Sequence, residues 1–335
     1  MNIRSSIKNY TVDFSNNFES SLSSIWTEGD LIIYDSKLII PMVDNLPNIK
    51  LQISEDAKSF KNISNVLEPI LEAGFTRNSK LIAIGGGVTQ DIVSFISSIL
   101  FRGVDWVFIP TTLLAQGDSC IGGKTSINYK GYKNLLGNFN PPNKIIICNE
   151  FLNTLTELDL KSGLSEVLHF YLVSGVEDFN YYKENFEKSK IKIIKRCLEI
   201  KKRYVELDEF DKGERLILNY GHTFGHAIES ITNYKYPHGI CVCFGMDMAN
   251  FISMKMGFIK KELYQELNSF MFNIHKEFLC SIDLKIFIES LKKDKKNNKN
   301  GFINCVLTKG IGCMFLQNIK IDDIEKYLEE YGLNK

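Results

Sequence analysis

The chain has 335 residues, of which 44% are hydrophobic and 24% are charged, as is ordinary for a globular protein of one large or two smaller domains. Lysine plus arginine and aspartate plus glutamate number 40 each, and this zero net charge argues against a nucleic-acid binder. No apolar run is long enough to span a bilayer, and the start of the chain lacks the apolar core of a secretory signal. The scattered cysteines form no CxxC pair, so we expect free thiols in a reducing cytoplasm.

The N-terminal half alternates short apolar runs with helical patterns. The predicted elements are a strand within 30–40, a helix over 59–75, a strand, glycine turn and helix over 79–100, a strand and threonine-rich loop over 104–116, and a strand over 143–149. Apolar runs separated by helices indicate a parallel sheet with covering helices.

Helical periodicity dominates from about residue 155. It runs through 191–207, 218–230 and 241–258 and returns in the amphipathic C-terminal end. We therefore predict an α/β domain over 1–154 and a helical domain over 155–335. The basic run "LKKDKKNNK" at 291–299 is typical of solvated surface.

A glycine turn, "IAIGGGVTQD", follows one predicted strand and precedes a helix. Glycines there permit tight turning, and a helix N-terminus can bind an anion such as a pyrophosphate. The turn is not a GxGxxG sequence, because Val88, Thr89 and Gln90 follow Gly87. Dinucleotide binding and a purely structural turn both remain open from this pattern alone.

A second glycine-rich segment spans 115–137 and contains Lys124, Lys133 and Asn134. Its "GGKT" is not a Walker loop, because Asp118 stands where that motif requires glycine. The segment is either a surface loop or a binding loop for a phosphorylated substrate.

Three histidines and a glutamate suggest a metal site. His222 and His226 lie four residues apart in "LNYGHTFGHAIES", without the glutamate of HExxH, and His238 follows a proline. Glu166, flanked by apolar residues, could complete a set of three zinc ligands with an open position. The alternative is a helix whose polar side chains serve packing and capping.

Four segments together resemble the 3-dehydroquinate synthase and sugar phosphate cyclase family. They are "RGVDWVFIPTTLLAQGDSCIGGKTSIN" (102–128), "GYKNLLGNF" (131–139), "SGLSEV" (162–167) and "LNYGHTFGHAIE" (218–229), in the family's order. The resemblance implies an α/β N-terminal NAD-binding domain and an all-α C-terminal metal-binding domain, with the active site in the cleft between them. It further implies a homodimer that uses NAD and Zn²⁺ or Co²⁺.

The same resemblance implies residue roles. Glu166, His222 and His238 would bind the metal, and Asp118 would lie by the reacting hydroxyls. The phosphate end of the substrate would contact Lys124, Asn134, Asn219, His226 and Lys296, with Arg102 from a neighbouring subunit, and its carboxylate end Lys201 and Arg215. NAD would contact Gly86, Gly87, Asp91, Thr111 and Thr112, with Asp35, Glu55 and Lys58 toward the adenosine and Lys133, Phe151 and Thr154 nearby.

Two positions depart from the family pattern. His169 replaces a lysine that points at the substrate. A histidine is shorter than lysine and is neutral unless its pKa is raised, so it would bind differently. Gln90 replaces a glycine, and we expect it to loosen the helix start or to turn toward the nicotinamide.

The implied reaction converts a seven-carbon acid sugar phosphate to 3-dehydroquinate. Bound NAD oxidises an alcohol, phosphate is eliminated, the hydride returns, and an intramolecular aldol step closes the ring without net redox change. His169 leaves open another sugar phosphate cyclase, for example one acting on sedoheptulose 7-phosphate. A polyol dehydrogenase dependent on NAD and metal is a further alternative, disfavoured by the cluster of Lys124, Asn134, Lys201 and Arg215. A catalytically inactive binding protein is disfavoured by the intact Asp118, Glu166, His222 and His238.

Overall fold

The protein is represented by a computed structural model that describes residues 1–278, 282–293, 298–299 and 301–332, with only the backbone at 298–299. The chain forms two compact units. The first comprises Met1–Leu155 with Lys201–Phe210, and the second Thr156–Ile200 with Asp211–Lys335. Among the described residues, no helix is both long and apolar enough to cross a membrane.

The first unit contains a seven-stranded sheet and a small hairpin. The sheet strands are β1 (Asn2–Ile3), β2 (Tyr10–Ser15), β3 (Leu31–Asp35), β4 (Asn48–Leu51), β5 (Lys80–Gly85), β6 (Asp105–Pro110) and β9 (Lys144–Cys148), and the hairpin strands are β7 (Ile127–Tyr129) and β8 (Tyr132–Leu136). The spatial order is β1-β2-β9-β6-β5-β3-β4. All neighbours are parallel except β1 and β2, so the predicted parallel sheet is confirmed.

Helices and turns of this unit connect the strands. They are α1 (Phe18–Ile25), α2 (Pro41–Asp44), α3 (Ser64–Glu72) and α4 (Gly87–Ile99), with 3₁₀ turns at Phe60–Asn62, Leu100–Arg102 and Asn149–Thr154 and a π-helical turn at Ala115–Ser119. Ile32, Ile82 and Ile109 of the central strands are fully buried and belong to one core cluster with Phe18 and Leu22 of α1. Strands that helices cover on both faces of a parallel sheet are apolar along their whole length, and this explains the continuous apolar runs in the sequence.

The second unit is mainly helical, as predicted. Its helices are α5 (Glu157–Ser174), α6 (Val176–Asn185), α7 (Lys190–Leu207), α8 (His222–Ile231), α9 (His238–Lys255), α10 (Lys261–His275), α11 (Leu284–Lys293) and α12 (Ile321–Tyr331). The last seven residues of α7 group with the first unit. Fifteen of the 18 residues of α9 are buried, which makes it the central helix of the second unit.

Two glycines of α9 allow its neighbours to approach closely. A Cβ atom on Gly239 would lie 1.9 Å from the carbonyl oxygen of Ser162 in α5, and one on Gly245 would lie 2.0 Å from that of Gly221, just before α8. Only glycine fits such backbone contacts. The start of α9 is therefore held against the middle of α5, and its second turn against the start of α8.

The second unit also contains a three-stranded antiparallel sheet that the helical pattern did not predict. Its strands are β10 (Asn298–Lys299), β11 (Phe302–Thr308) and β12 (Met314–Lys320). Gly310 and Gly312, both with positive φ, lie in the β11–β12 turn, and α12 follows β12 directly. The second unit is thus helical apart from this small sheet near its C-terminal end.

Candidate active site

Glu166, His222 and His238 meet in the second unit. Glu166 lies in the middle of α5, whereas His222 and His238 are the first residues of α8 and α9. Nε2 of His222 lies 3.2 Å from Oε1 of Glu166, and Nε2 of His238 lies 3.5 Å from Oε2 of the same carboxylate. The carboxylate is only 1% exposed. Three residues from three helices thus direct nitrogen and oxygen atoms to one point.

The chemistry of this cluster fits a divalent metal. Oε2 of Glu166 is buried without a hydrogen bond among the described residues, which is costly for a carboxylate that no cation accompanies. Burial would raise the pKa of Glu166, but the charges of His238 and His222 outweigh burial and hold it well below its usual range. An ionised carboxylate with two imidazole nitrogens is a donor set that zinc takes at catalytic sites.

His226 lies one helical turn beyond His222. Its ring centroid is 5.4 Å from that of His222 and 5.5 Å from that of His238, and the three histidines present nitrogens within 4.8 Å of one another. Desolvation by surrounding atoms, together with the charges of His222 and His238, lowers the pKa of His226 to about 3, although part of the side chain is exposed. The geometry therefore offers two ligand sets, one with Glu166 and one with His226.

His169 packs behind the carboxylate. It is 1% exposed, its Nδ1 lies 2.5 Å from the carbonyl oxygen of Glu166, and its ring centroid is 5.2 Å from that of His222. The adjacent Phe170 ring lies at 3.8 Å. His169, at the position of the expected lysine, is thus a buried imidazole. It contacts the backbone of one candidate ligand, Glu166, and the ring of another, His222.

The glycine turn of the first unit presents the start of a long helix. β5 ends at Gly85, and the 13-residue α4 begins at Gly87 after Gly86, which supplies no side-chain cap. A Cβ on Gly86 would lie 3.1 Å from Cγ2 of Thr112, which follows the neighbouring strand β6. The N–H groups of a first helical turn have no intrahelical partner, so this edge of the parallel sheet suits a pyrophosphate.

Gln90 does neither of the two things expected from its sequence position. Its side chain is 4% exposed, its Nε2 donates to the carbonyl oxygen of Ser119 at 2.7 Å, and its Oε1 accepts from the Ser119 hydroxyl at 2.6 Å. The side chain therefore fastens α4 to the π-helical turn rather than loosening the helix start or reaching for a ligand. The reason is that both amide groups find partners on one residue.

A polar cluster lies beside the glycine turn. Nζ of Lys58 lies 2.6 Å from Oδ2 of Asp91 and donates to Oδ1 of Asn134 at 2.7 Å. Burial, opposed by Lys58, raises the pKa of Asp91 to about 6. Lys133 lies 3.9 Å from Glu55. Asn134, which was expected at the substrate phosphate, therefore contacts Lys58, a residue expected at NAD.

Asp118 and Lys201 form an ion pair in the first unit. Nζ of Lys201 donates to Oδ1 of Asp118 at 2.7 Å and to its carbonyl oxygen at 2.6 Å. Their side chains are 21% and 8% exposed. Asp118 was predicted to lie by the reacting hydroxyls and Lys201 at the carboxylate end of the substrate, and the structure brings the two residues together.

Comparison with known proteins covers both halves of the chain. The family model described as 3-dehydroquinate synthase N-terminal matches residues 48–162, and the corresponding C-terminal model matches residues 163–297. The 3-dehydroquinate synthase of Alkaliphilus metalliredigens is 40% identical over 276 residues, which is 80% of this chain and 77% of that protein. The chain belongs to the 3-dehydroquinate synthase family.

Solved structures share the fold at lower identity. The 2-deoxy-scyllo-inosose synthase complexed with carbaglucose-6-phosphate, NAD⁺ and Co²⁺ has a TM-score of 0.86 and 21% identity, and covers 98% of this chain and 99% of that one. The 2-epi-5-epi-valiolone synthase of Streptomyces hygroscopicus, with NAD⁺ and Zn²⁺ bound, has a TM-score of 0.85 and 22% identity, with 97% of each chain covered. These likenesses confirm the dehydroquinate synthase-like fold.

The remaining residues that the 3-dehydroquinate synthase resemblance singled out lie in varied surroundings. Arg102 has a left-handed φ of 68° and is exposed, as is Lys124. Asp35 ends β3, and Thr111 follows β6, where its N–H donates to the carbonyl oxygen of Gly85 at 2.9 Å. Lys296 lies outside the described residues.

Other placements correct the local picture drawn from the sequence. Arg215, 4% exposed, and Asn219 lie in a 3₁₀ turn over Glu214–Asn219 and not on the helix of His222. Phe151 is buried against Phe18 with ring centroids 5.1 Å apart, and Thr154 is the last residue of the 3₁₀ turn Asn149–Thr154. Phe151 is therefore at least in part a core residue.

Glu229 is a member of the cluster that the sequence reading missed. It lies on α8, seven residues after His222, and its Oε2 is 3.2 Å from Nδ1 of His238. The available signal was its helical spacing, since residues i, i+4 and i+7 share a helix face and so placed Glu229 with His222 and His226.

Proposed function

We propose that this protein is a 3-dehydroquinate synthase, a carbon–oxygen lyase that converts a seven-carbon acid sugar phosphate to 3-dehydroquinate with bound NAD and a divalent metal. The observation that carries the proposal is the meeting of Glu166, His222 and His238 in a chain that matches the family over both halves. The buried carboxylate contacts both of these histidines, which favours it over His226 as third ligand.

With Glu166, His222 and His238 as the metal ligands, His226 is available to contact the substrate. With its pKa lowered to about 3, His226 is neutral at pH 7, so it offers one N–H donor and one acceptor nitrogen rather than a charge. Positive charge for the phosphate then comes from lysine and arginine. The proposed phosphate contacts are Lys124, Asn134, Asn219, His226, Lys296 and, from a second subunit, Arg102.

Asp118 and Lys201 are proposed to act on the reacting end of the substrate. When bound, NAD takes up and returns a hydride while the metal polarises the alcohol oxygen. Lys201 donates one hydrogen bond to the Asp118 carboxylate and one to its carbonyl oxygen, and this orients the carboxylate so that it can accept a hydroxyl proton in a hydrogen bond. Lys201 also has the charge to bind the substrate carboxylate, together with Arg215.

The cofactor is proposed to lie at the edge of the sheet formed by β5 and β6. The uncapped first turn of α4 supplies N–H groups for the pyrophosphate, and the Lys58–Asp91 pair lies beside it. The proposed contacts are Gly86, Gly87, Asp91, Thr111, Thr112, Asp35, Glu55, Lys58, Lys133, Phe151 and Thr154.

We further propose zinc as the first-choice metal, with cobalt able to replace it, because one carboxylate and two imidazoles suit both ions. A homodimer is proposed because Arg102 is exposed and is assigned to the phosphate of a second subunit. A reducing cytoplasm is the proposed compartment, and it fits the free thiols of the seven described cysteines.

Phosphate release and NADH formation, measured together, test the function. The purified protein is given zinc, NAD and the seven-carbon acid sugar phosphate, and we expect stoichiometric phosphate release without accumulation of NADH. Stripping the metal with a chelator should stop the release, and adding zinc back should restore it. Glu166→Ala should be inactive, whereas Glu177→Ala, at an exposed position of α6, should retain activity.

Three results of this assay would contradict the proposal. Accumulation of NADH without phosphate would identify a dehydrogenase. Phosphate release only from sedoheptulose 7-phosphate would identify a different cyclase and would give His169 a role in that choice. Unchanged activity of Glu166→Ala would remove the ligand assignment.

A further inference from the structure

Glu229 contacts the outer nitrogen of a metal-site histidine. Its Oε2 lies 3.2 Å from Nδ1 of His238, and its side chain is 11% exposed. On the other side of the same imidazole, Nε2 lies 3.5 Å from Oε2 of Glu166. The His238 ring is therefore held between two carboxylates that approach opposite nitrogens.

His222 shows the same arrangement with a different outer partner. Its Nδ1 lies 3.3 Å from the carbonyl oxygen of Tyr220, while its Nε2 lies 3.2 Å from Oε1 of Glu166. In both histidines an oxygen acceptor faces Nδ1, and Nε2 faces the central carboxylate. The same arrangement occurs at the start of two separate helices, so in both histidines the contact at Nδ1 directs Nε2 toward the site.

The chemistry of imidazole gives this arrangement a consequence. A neutral histidine carries one N–H, and an acceptor at Nδ1 keeps the proton there, so that the lone pair lies on Nε2. Outer-shell carboxylates of this kind fix the tautomer and the ring orientation of a metal ligand and raise its basicity. Glu229 is 9% exposed and lies on α8, whose start is in close contact with α9 at Gly221 and Gly245.

We propose that Glu229 is a positioning residue that presents Nε2 of His238 to the metal. The inference rests on the metal site of the proposed function. It assigns to the α8 helix three contributions to one centre: His222 as ligand, His226 toward the substrate, and Glu229 as the residue that orients a ligand of the next helix.

Metal affinity tests this role independently of turnover. Zn²⁺ and Co²⁺ dissociation constants are measured by competition with a chromophoric chelator for the wild type, Glu229→Ala, Glu229→Gln and His238→Ala. We expect Glu229→Ala to bind the metal about 10- to 100-fold more weakly. Glu229→Gln should lose less, because its amide oxygen still accepts from Nδ1. The control Glu289→Ala, an exposed residue of α11 that pairs with Lys292, should bind like the wild type.

The Co²⁺ absorption spectrum supplies a second measurement. If Glu229 orients the ligand, Glu229→Ala changes the visible absorption of the bound cobalt, whereas a residue that only stabilises the fold would leave the spectrum unchanged. Glu229→Gln keeps the side-chain shape, so it is compared directly with the wild type if the alanine variant does not fold. We then expect a loss of metal affinity smaller than about 10-fold, and a loss of about 10- to 100-fold would contradict the hydrogen-bond mechanism.

The outcomes separate this proposal from the function on which it rests. Affinity of Glu229→Ala within twofold of the wild type, alongside strong weakening in His238→Ala, would overturn the positioning role alone. Affinity unaffected by His238→Ala would overturn the ligand assignment and the positioning role together. A Glu229→Gln variant that is as weak as Glu229→Ala would contradict the hydrogen-bond mechanism.

Discussion

Asp247 makes the stability of the second unit depend on pH. It lies on the central helix α9, is fully buried, and accepts hydrogen bonds at Oδ2 from Asn268 at 2.9 Å and from the Tyr331 hydroxyl at 2.6 Å. Its Oδ1 has no hydrogen bond among the described residues. Burial outweighs these two donors and raises the pKa of Asp247 from 3.8 to about 6.

The sign of the effect follows from proton linkage. Because the folded protein binds this proton more tightly than the unfolded chain, the proton's contribution to stability is complete below pH 3.8 and is lost as the pH rises through about 6. The step between those two values corresponds to about 3 kcal/mol of unfolding free energy. In Asp247→Asn the side-chain oxygen still accepts from Asn268 and Tyr331, but no charge forms.

We therefore expect Asp247→Asn and the wild type to have similar stabilities near pH 4, and the variant to gain up to about 3 kcal/mol over the wild type by pH 8. Urea unfolding followed by far-ultraviolet circular dichroism measures this, since both tryptophans, Trp26 and Trp106, lie in the other unit. Asp323→Asn, in the first turn of α12 with a side chain that is 47% exposed, is the control and should show no such trend. A difference between Asp247→Asn and the wild type that does not change with pH would refute the reasoning.

Further substitutions test the close contacts around the site. Glu166→Ala should weaken metal binding by more than about 100-fold, as measured by equilibrium dialysis, because loss of a ligand costs more than loss of a residue that only hydrogen-bonds a ligand. Unchanged binding would favour the three-histidine ligand set. Gly239→Ala places a Cβ 1.9 Å from the carbonyl oxygen of Ser162, so both metal affinity and the melting temperature should fall, and retention of both would mean that α9 can shift freely. Gln90→Leu removes both hydrogen bonds between the buried amide and the half-buried Ser119, and we expect a cost of about 1 kcal/mol per hydrogen bond in urea unfolding followed by tryptophan fluorescence. An unchanged unfolding midpoint would contradict the structural role of this pair.

The parallel sheet and the long helices were predictable because their residues follow local rules. β5, β6 and β9 are apolar runs that parallel strands need when helices cover them. α7 shows sustained apolar periodicity, and α9 is apolar on nearly all of its faces, as a central buried helix requires. The β11–β12 hairpin was missed, although the burial of β11 partly alternates along its first residues. Four of the last five residues of β11 are buried in an unbroken run, which carries no alternating signal, and pairing with β12 decides that this segment is a strand.

The candidate site was predictable in its residue types but not in its pairings. The family pattern supplied Glu166, His222 and His238. The contacts of Gln90 with Ser119 and of Lys201 with Asp118 join residues 29 and 83 positions apart, and no local pattern encodes such partners. Gln90 shows the difference most clearly. Its replacement of a glycine predicted a looser start of helix α4, whereas in the structure both polar groups of its amide are hydrogen-bonded to Ser119.

The two ligand histidines each begin a helix, and this position has a consequence for recognising distant relatives. His238 follows His222 by sixteen positions, which are accounted for by the ten residues of α8, beginning with His222, and a connection of six, 232–237, that contains none of the proposed ligands. Lengthening or shortening that connection changes the spacing in the sequence without moving either histidine from the first turn of its helix. A pattern search that fixes the interval at sixteen would therefore overlook chains with the same centre, whereas one anchored on the two helix starts would find them.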